Sequence, residues 1–112
     1  MDEKKETGAK DKKKNDWLIF ELKDPTEYQG QPITTLDLTK LRNMNGGELN
    51  VVYDLYNNLG GTGTIMQEST LLFAQVIASR VTGYPLEAIN KISARDSVTL
   101  KGRIYRFFFL SV

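Results

Sequence analysis

The chain of 112 residues contains no cysteine and no histidine. The first absence excludes disulfides and thiolate metal sites and points to a reducing compartment. The second removes the usual general base, the usual triad member and the commonest neutral metal ligand. Charge of one sign is missing as well. Residues 1–16 carry six Lys against five Asp or Glu, residues 17–112 nine Lys or Arg against nine Asp or Glu, and the net charge is +1. A dedicated nucleic-acid module shows a clear basic excess, so the composition argues against one. No apolar run approaches the ~20 residues of a membrane span, and the N-terminus lacks an apolar segment of the signal-peptide kind. A soluble, intracellular protein is therefore expected, with no membrane contact and no cofactor.

The expected organisation is a disordered charged tail over residues 1–16, which has too little apolar surface to offset the entropy of ordering, followed by one α+β domain over 17–112. From Trp17 to Lys23 apolar residues alternate, with Leu18, Phe20 and Leu22 pointing one way. The run Ile33 to Leu38 alternates again, with Leu36 and Leu38 on one face. These two runs, within 17–38, predict an antiparallel β-hairpin. The stretch 24–32 between them, with Pro25, Gly30 and Pro32, reads as a loop too long for a tight turn. A bundle of about four α-helices is expected over 46–110. Asn45, three residues before Glu48, forms a capping-box pattern. Behind it Leu49, Val52, Tyr53, Tyr56 and Leu59 form one helical stripe. The sequence Asn57 to Gly63 ends that helix as a flexible connection. A second helix, apolar around most of its girth through Leu71, Leu72, Phe73, Val76, Ile77 and Val81, ends at Gly83, which suits a left-handed position, and Pro85 suits the first turn of the next. Ser93 and Asp96 cap the last helix, whose apolar side takes Val98, Leu100, Ile104, Tyr105 and residues 107–110.

None of the chemistry-bearing patterns closes. Gly60, Gly61 and Gly63 precede a helix, but neither a Gly-Lys-Ser/Thr end nor an upstream apolar strand accompanies them, so a linker is the better reading. Asp24, Glu27, Asp37, Glu48 and Asp54 form no close i, i+3 or i, i+4 cluster, and no metal site is expected. A nucleophile–base pair cannot be assembled, so the chain is read as not an enzyme. Arg95, Thr99, Arg103 and Arg106 line one side of the last helix, either as a solvated face or as a contact for an acidic partner. Gln75 to Ile92 resembles a helix-turn-helix only loosely, because its second helix offers no Arg. Phe107, Phe108 and Phe109 stand about 100° apart on a helix, so no single core face takes all three. One ring at least is exposed or pressed against another chain, unless the terminal helix lies between two internal layers.

A strand pair, then Leu38-Thr39-Lys40-Leu41-Arg42 leading to Asn45-Gly46-Gly47-Glu48-Leu49, then Ala78-Ser79-Arg80-Val81-Thr82-Gly83-Tyr84-Pro85, then Ile92-Ser93-Ala94-Arg95-Asp96, resembles the E-type tail assembly chaperones of contractile-tailed phages and prophages. The resemblance runs from about Trp17 to the C-terminus and rests on packing and capping positions. Asn43-Met44-Asn45 stands where many relatives have a proline. What the resemblance implies is a non-catalytic protein of the host cytoplasm, absent from the mature virion. It would bind the helical tape-measure protein and help recruit tail-tube subunits. Exposed apolar surface that docks helices is then required, and it also favours homo-oligomers. Tyr53, Tyr56, Met66, Phe107, Phe108 and Phe109 are the candidate partner or self-association residues. The competing readings are a structural tail or baseplate component and, more distantly, a small DNA-binding regulator.

Overall fold

A computed structural model describes residues 16–61 and 66–110. It has the expected α+β class, an N-terminal antiparallel hairpin followed by helices. Strand β1 is Ile19–Tyr28 and β2 is Gln31–Asp37. A 3₁₀ turn, Thr39–Asn43, leads to α1, Gly46–Asn58. A second 3₁₀ turn, Gln67–Ser69, precedes α2, Leu71–Thr82; then come the single turn α3, Leu86–Ile89, and α4, Ala94–Tyr105, which continues as a π turn, Arg106–Leu110. The expected charged tail lies outside the described residues except at its last position. Asp16 belongs to the domain: both of its carboxylate oxygens bind Arg42, at 2.7 and 2.8 Å.

The hairpin corrects the loop expected over 24–32. Gln29 and Gly30 form a two-residue connection with φ of 51° and 80°, the left-handed pair that matches the twist of hairpin strands. Gln29 stands where Asn or Asp is usual, which hides the turn signal in the sequence. Prolines suggested a loop because they cannot donate to a ladder, yet Pro25 sits in an irregular stretch of β1 and Pro32 in a strand with only one neighbour. Phe20 faces Leu36 and Glu21 faces Thr35; pairing resumes at Thr26 with Ile33, leaving an irregularity on β1 between Glu21 and Thr26. Leu18, Phe20, Leu22, Leu36 and Leu38 are all buried, and Ile33, out of phase with Leu36, is buried too because of that irregularity.

The backbone donors freed there go to the last helix. The N–H groups of Lys23 and Asp24 donate to the Asp96 carboxylate at 3.0 and 2.9 Å. Asp96, expected as part of a cap, is 2% exposed and joins hairpin to helix. Ser93 is the N-cap, accepting from the Asp96 N–H. Asn45 caps α1 by accepting from the Glu48 N–H at 2.9 Å, and Thr70 caps α2. Gly83 takes the left-handed position after α2, at φ 85°. Pro85 is the residue before α3 and not inside its first turn, with ψ at 157°. Around α2, the most buried helix, the hairpin face, α1 and α4 close one core that includes Val52, Tyr56, Phe73, Ile77, Leu100 and Ile104.

Candidate functional site

The ring of Phe73 organises one end of this core. Tyr53 lies 5.5 Å from it, Tyr56 meets it edge-on at 6.1 Å and Phe108 edge-on at 5.8 Å, with Phe107 edge-on to Phe108 at 5.2 Å. Edge-on and tilted pairs suit the ring quadrupoles and add to the burial they bring. Tyr56, expected on a partner surface, is 2% exposed and is a core residue. Its ring is backed by Gly61: a Cβ there would fall 2.4 Å from the Tyr56 ring. The Gly61 N–H also donates to the Tyr56 carbonyl at 2.9 Å. The segment read as a flexible connection thus includes a close approach that only glycine permits.

Tyr53 is half-buried, and its hydroxyl donates to Glu68. Burial, then the Glu68 hydrogen bond, pushes its phenol up to about 12. Of the three terminal phenylalanines, Phe107 and Phe108 are half-buried and Phe109 is 44% exposed, its ring tilted by 38° against Tyr105 at 4.8 Å. The π turn rotates less per residue than an α-helix, which lets Phe107 and Phe108 both lean inward while Phe109 stays out. Met66 is exposed at 41%. The six candidate residues therefore do not form one surface. Tyr53, Tyr56 and Phe108 surround Phe73, whereas Met66 and Phe109 remain accessible.

Another accessible apolar feature lies on the first helix. On α1 and its C-cap, Val51, Leu55 and Leu59 are 40%, 38% and 48% exposed. They fall at i, i+4 and i+8, one row on a helix. Leu59, assigned by its spacing to the buried stripe, belongs to this open row. The row borders an apolar groove of about 220 Å³ between α1, α2 and α3, lined by Leu55, Asn58, Leu59, Val76, Ser79, Arg80 and Leu86. A second row of aliphatic residues at fourfold spacing is the sequence signal that marks it. On α4 Val98, expected in the core, is 64% exposed.

Two more polar concavities exist. One, of about 280 Å³, is lined by Thr35, Asp37, Thr39, Lys40, Val81, Thr82 and Tyr84. The other, of about 530 Å³, lies between the start of β1 and α4 and is lined by Asp16, Trp17, Ile19, Thr99, Gly102, Arg103 and Arg106. Arg103 and Arg106, expected on a stripe that is either solvated or a contact for an acidic partner, also pack within the domain. The Arg103 guanidinium lies 4.7 Å over the Phe20 ring and donates to the Trp17 carbonyl; that of Arg106 lies 4.3 Å over the Trp17 ring. Arg95 pairs with Asp24 through two bonds at 2.7 and 2.9 Å, and this bond holds the Asp24 carboxyl down at about 2. Among the described residues no three carboxylates are grouped as a metal ion would need, and no helix is long and apolar enough to cross a membrane. Helix α3 is a single turn, too short to serve as the reading helix of a DNA-binding motif. Comparison with protein-family models, curated proteins and solved structures finds no match to this chain.

Proposed function

We propose that this protein is a non-catalytic assembly factor that binds a helical segment of another protein along the open row of α1. The observation that carries this reading is the row Val51, Leu55 and Leu59 opening onto an apolar groove between three helices. An amphipathic helix docks into such a groove through apolar side chains spaced at i, i+3, i+4 and i+7. Contiguous apolar exposure of this kind marks interaction sites on soluble proteins. The hairpin, the capped helix after Asn45 and the Thr82-Gly83-Tyr84-Pro85 break fit the resemblance to phage tail assembly chaperones. On that reading the docked helix comes from the tape-measure protein, with tail-tube subunits as a second partner. The work is done in the host cytoplasm, and the factor is left out of the finished particle. A second copy of the chain covers the same row when the partner is absent.

Co-expression with a phage tape-measure protein is the test. Wild type should co-purify with the tape measure and keep it soluble, and L55E/L59E should lose both effects while remaining folded by circular dichroism. Capture that is indifferent to the double substitution would overturn the docking row. Recovery of the chain at many copies in purified virions would instead make it a structural tail component.

A further inference from the structure

We propose that the cleft between the start of β1 and α4 is a carboxylate-binding site, which takes an acidic side chain of a protein partner. The inference rests on the reading of the chain as a protein-binding module and names a chemistry that the partner must carry. Two guanidiniums, those of Arg103 and Arg106, line this cleft of about 530 Å³. Each lies over an aromatic ring, Arg103 at 4.7 Å from the Phe20 centroid and Arg106 at 4.3 Å from that of Trp17. Stacking on a ring restrains a guanidinium; Arg103 gives one N–H to the Trp17 carbonyl, whereas among the described residues no hydrogen bond engages the Arg106 guanidinium, whose edge can meet a carboxylate side-on.

Among the described residues no ion pair meets their charges. The carboxylate in the cleft wall, Asp16, binds Arg42 through both oxygens and also accepts the Leu18 N–H at 3.0 Å. Asp24, within the hairpin irregularity, is paired with Arg95. The ion pairs among the described residues thus use Arg42 and Arg95 and leave Arg103 and Arg106 without a counter-ion. Arg103 Nε is shut off from solvent with no acceptor. Burial, and after it repulsion from Arg106, lowers the pKa of the Arg103 guanidinium from its ordinary value. Two like charges side by side, one of them partly desolvated, form an arrangement that an incoming anion relieves.

The surroundings favour a protein carboxylate over a nucleic-acid phosphate. The nine Lys or Arg of residues 17–112 are balanced by nine Asp or Glu, so no extended positive field tracks a polyanion. Along the last helix the cleft residues Thr99, Gly102, Arg103 and Arg106 adjoin exposed Val98 and Phe109 and half-buried Tyr105. A segment bearing one acidic and one or two apolar side chains meets both features together.

Trp17, the single tryptophan, stands in the cleft wall and reports on it. The full chain should be titrated with a short amphipathic peptide rich in Glu and Leu, following Trp17 emission. The emission should shift with saturation. R106Q should weaken binding about tenfold while the chain stays folded by circular dichroism, and a peptide with every Glu replaced by Gln should lose binding to the same extent. K91Q should respond as wild type does, since the exposed Lys91 lines neither the cleft nor the α1 groove. If the peptide leaves Trp17 unchanged, binds R106Q as tightly, or is outcompeted by inorganic phosphate or duplex DNA at equal concentration, the carboxylate site is wrong. None of these outcomes depends on capture of the tape-measure protein, so the cleft and the α1 row fail independently.

Discussion

Helix α1 has two apolar sides with opposite fates. Val52 and Tyr56 are sealed against α2, with 0% and 2% exposure, while Val51, Leu55 and Leu59, rotated by one residue, stay open. Hydrophobicity does not separate them; the neighbours do. Phe73 and Gly61 close over Tyr56, whereas Leu55 and Leu59 border a groove that no described residue fills. An apolar side chain left beside an unfilled groove contributes little to folding and is available for association.

The contrast breaks most visibly on its sealed side. Tyr56→Ala removes a buried ring from the Phe73 cluster and should cost about 4 kcal/mol by the usual range for large-to-small core changes. Urea unfolding should show a lower midpoint. A loss under about 1 kcal/mol would mean that this side of α1 is not core.

Next in size comes Asp96, which couples the hairpin to α4. Asp96→Ala leaves two N–H groups of Lys23 and Asp24 without their acceptor and should cost about 3 kcal/mol, the scale of hydrogen bonds to a charged group. Burial raises the Asp96 carboxyl, but the N–H groups of Asp24 and Lys23 and the Ser93 hydroxyl outweigh it, so its net shift is downward. A carboxyl that is more acidic in the folded state stabilises above its unfolded value and loses that contribution as pH falls through the folded one. Stability of the wild type should therefore drop below about pH 4, and Asp96→Asn should flatten that drop. With no histidine in the chain, no side chain of ordinary pKa titrates between pH 6 and 8. An equally steep acid limb in Asp96→Asn would assign the effect to Asp16 and Asp24 instead.

A smaller effect is expected at Gly61. Gly61→Ala drives a methyl into the Tyr56 ring, and overpacking of this order costs about 2 kcal/mol. Gly60→Ala meets no atom but is held at φ 95°, so it tests backbone strain alone. Hydrogen exchange of the Gly61 amide, which donates to Tyr56, should rise in the first variant.

What was legible in the sequence divides along the same line. Periodicity located the hairpin strands and helices, and capping residues located the helix starts at Asn45 and Ser93, because those signals act within a few residues. The tight turn at Gln29 and Gly30 was hidden behind two prolines whose tolerance depends on strand position. The role of Asp96 was hidden because its acceptor atoms meet a strand more than seventy residues away. Among the candidate contact residues, Tyr56 and Phe109 look alike in sequence. Only the packing around Phe73 and the π turn decide that one is buried and the other is not.

The open side of α1 supplies the smallest effect on folding. In L55E/L59E two aliphatic side chains that are already more than a third exposed are replaced by good helix formers. The expected change in stability lies within about 0.5 kcal/mol of wild type, as for surface substitutions that break no special feature. Glu at both positions, however, places two charges at the mouth of an apolar groove, and a docking helix would have to desolvate them. Association should therefore fall while folding does not, which sedimentation of the isolated chain and its unfolding midpoint measure side by side. If the double substitution unfolds the protein as severely as Tyr56→Ala, then the two sides of α1 are energetically alike and the distinction between sealed and open disappears.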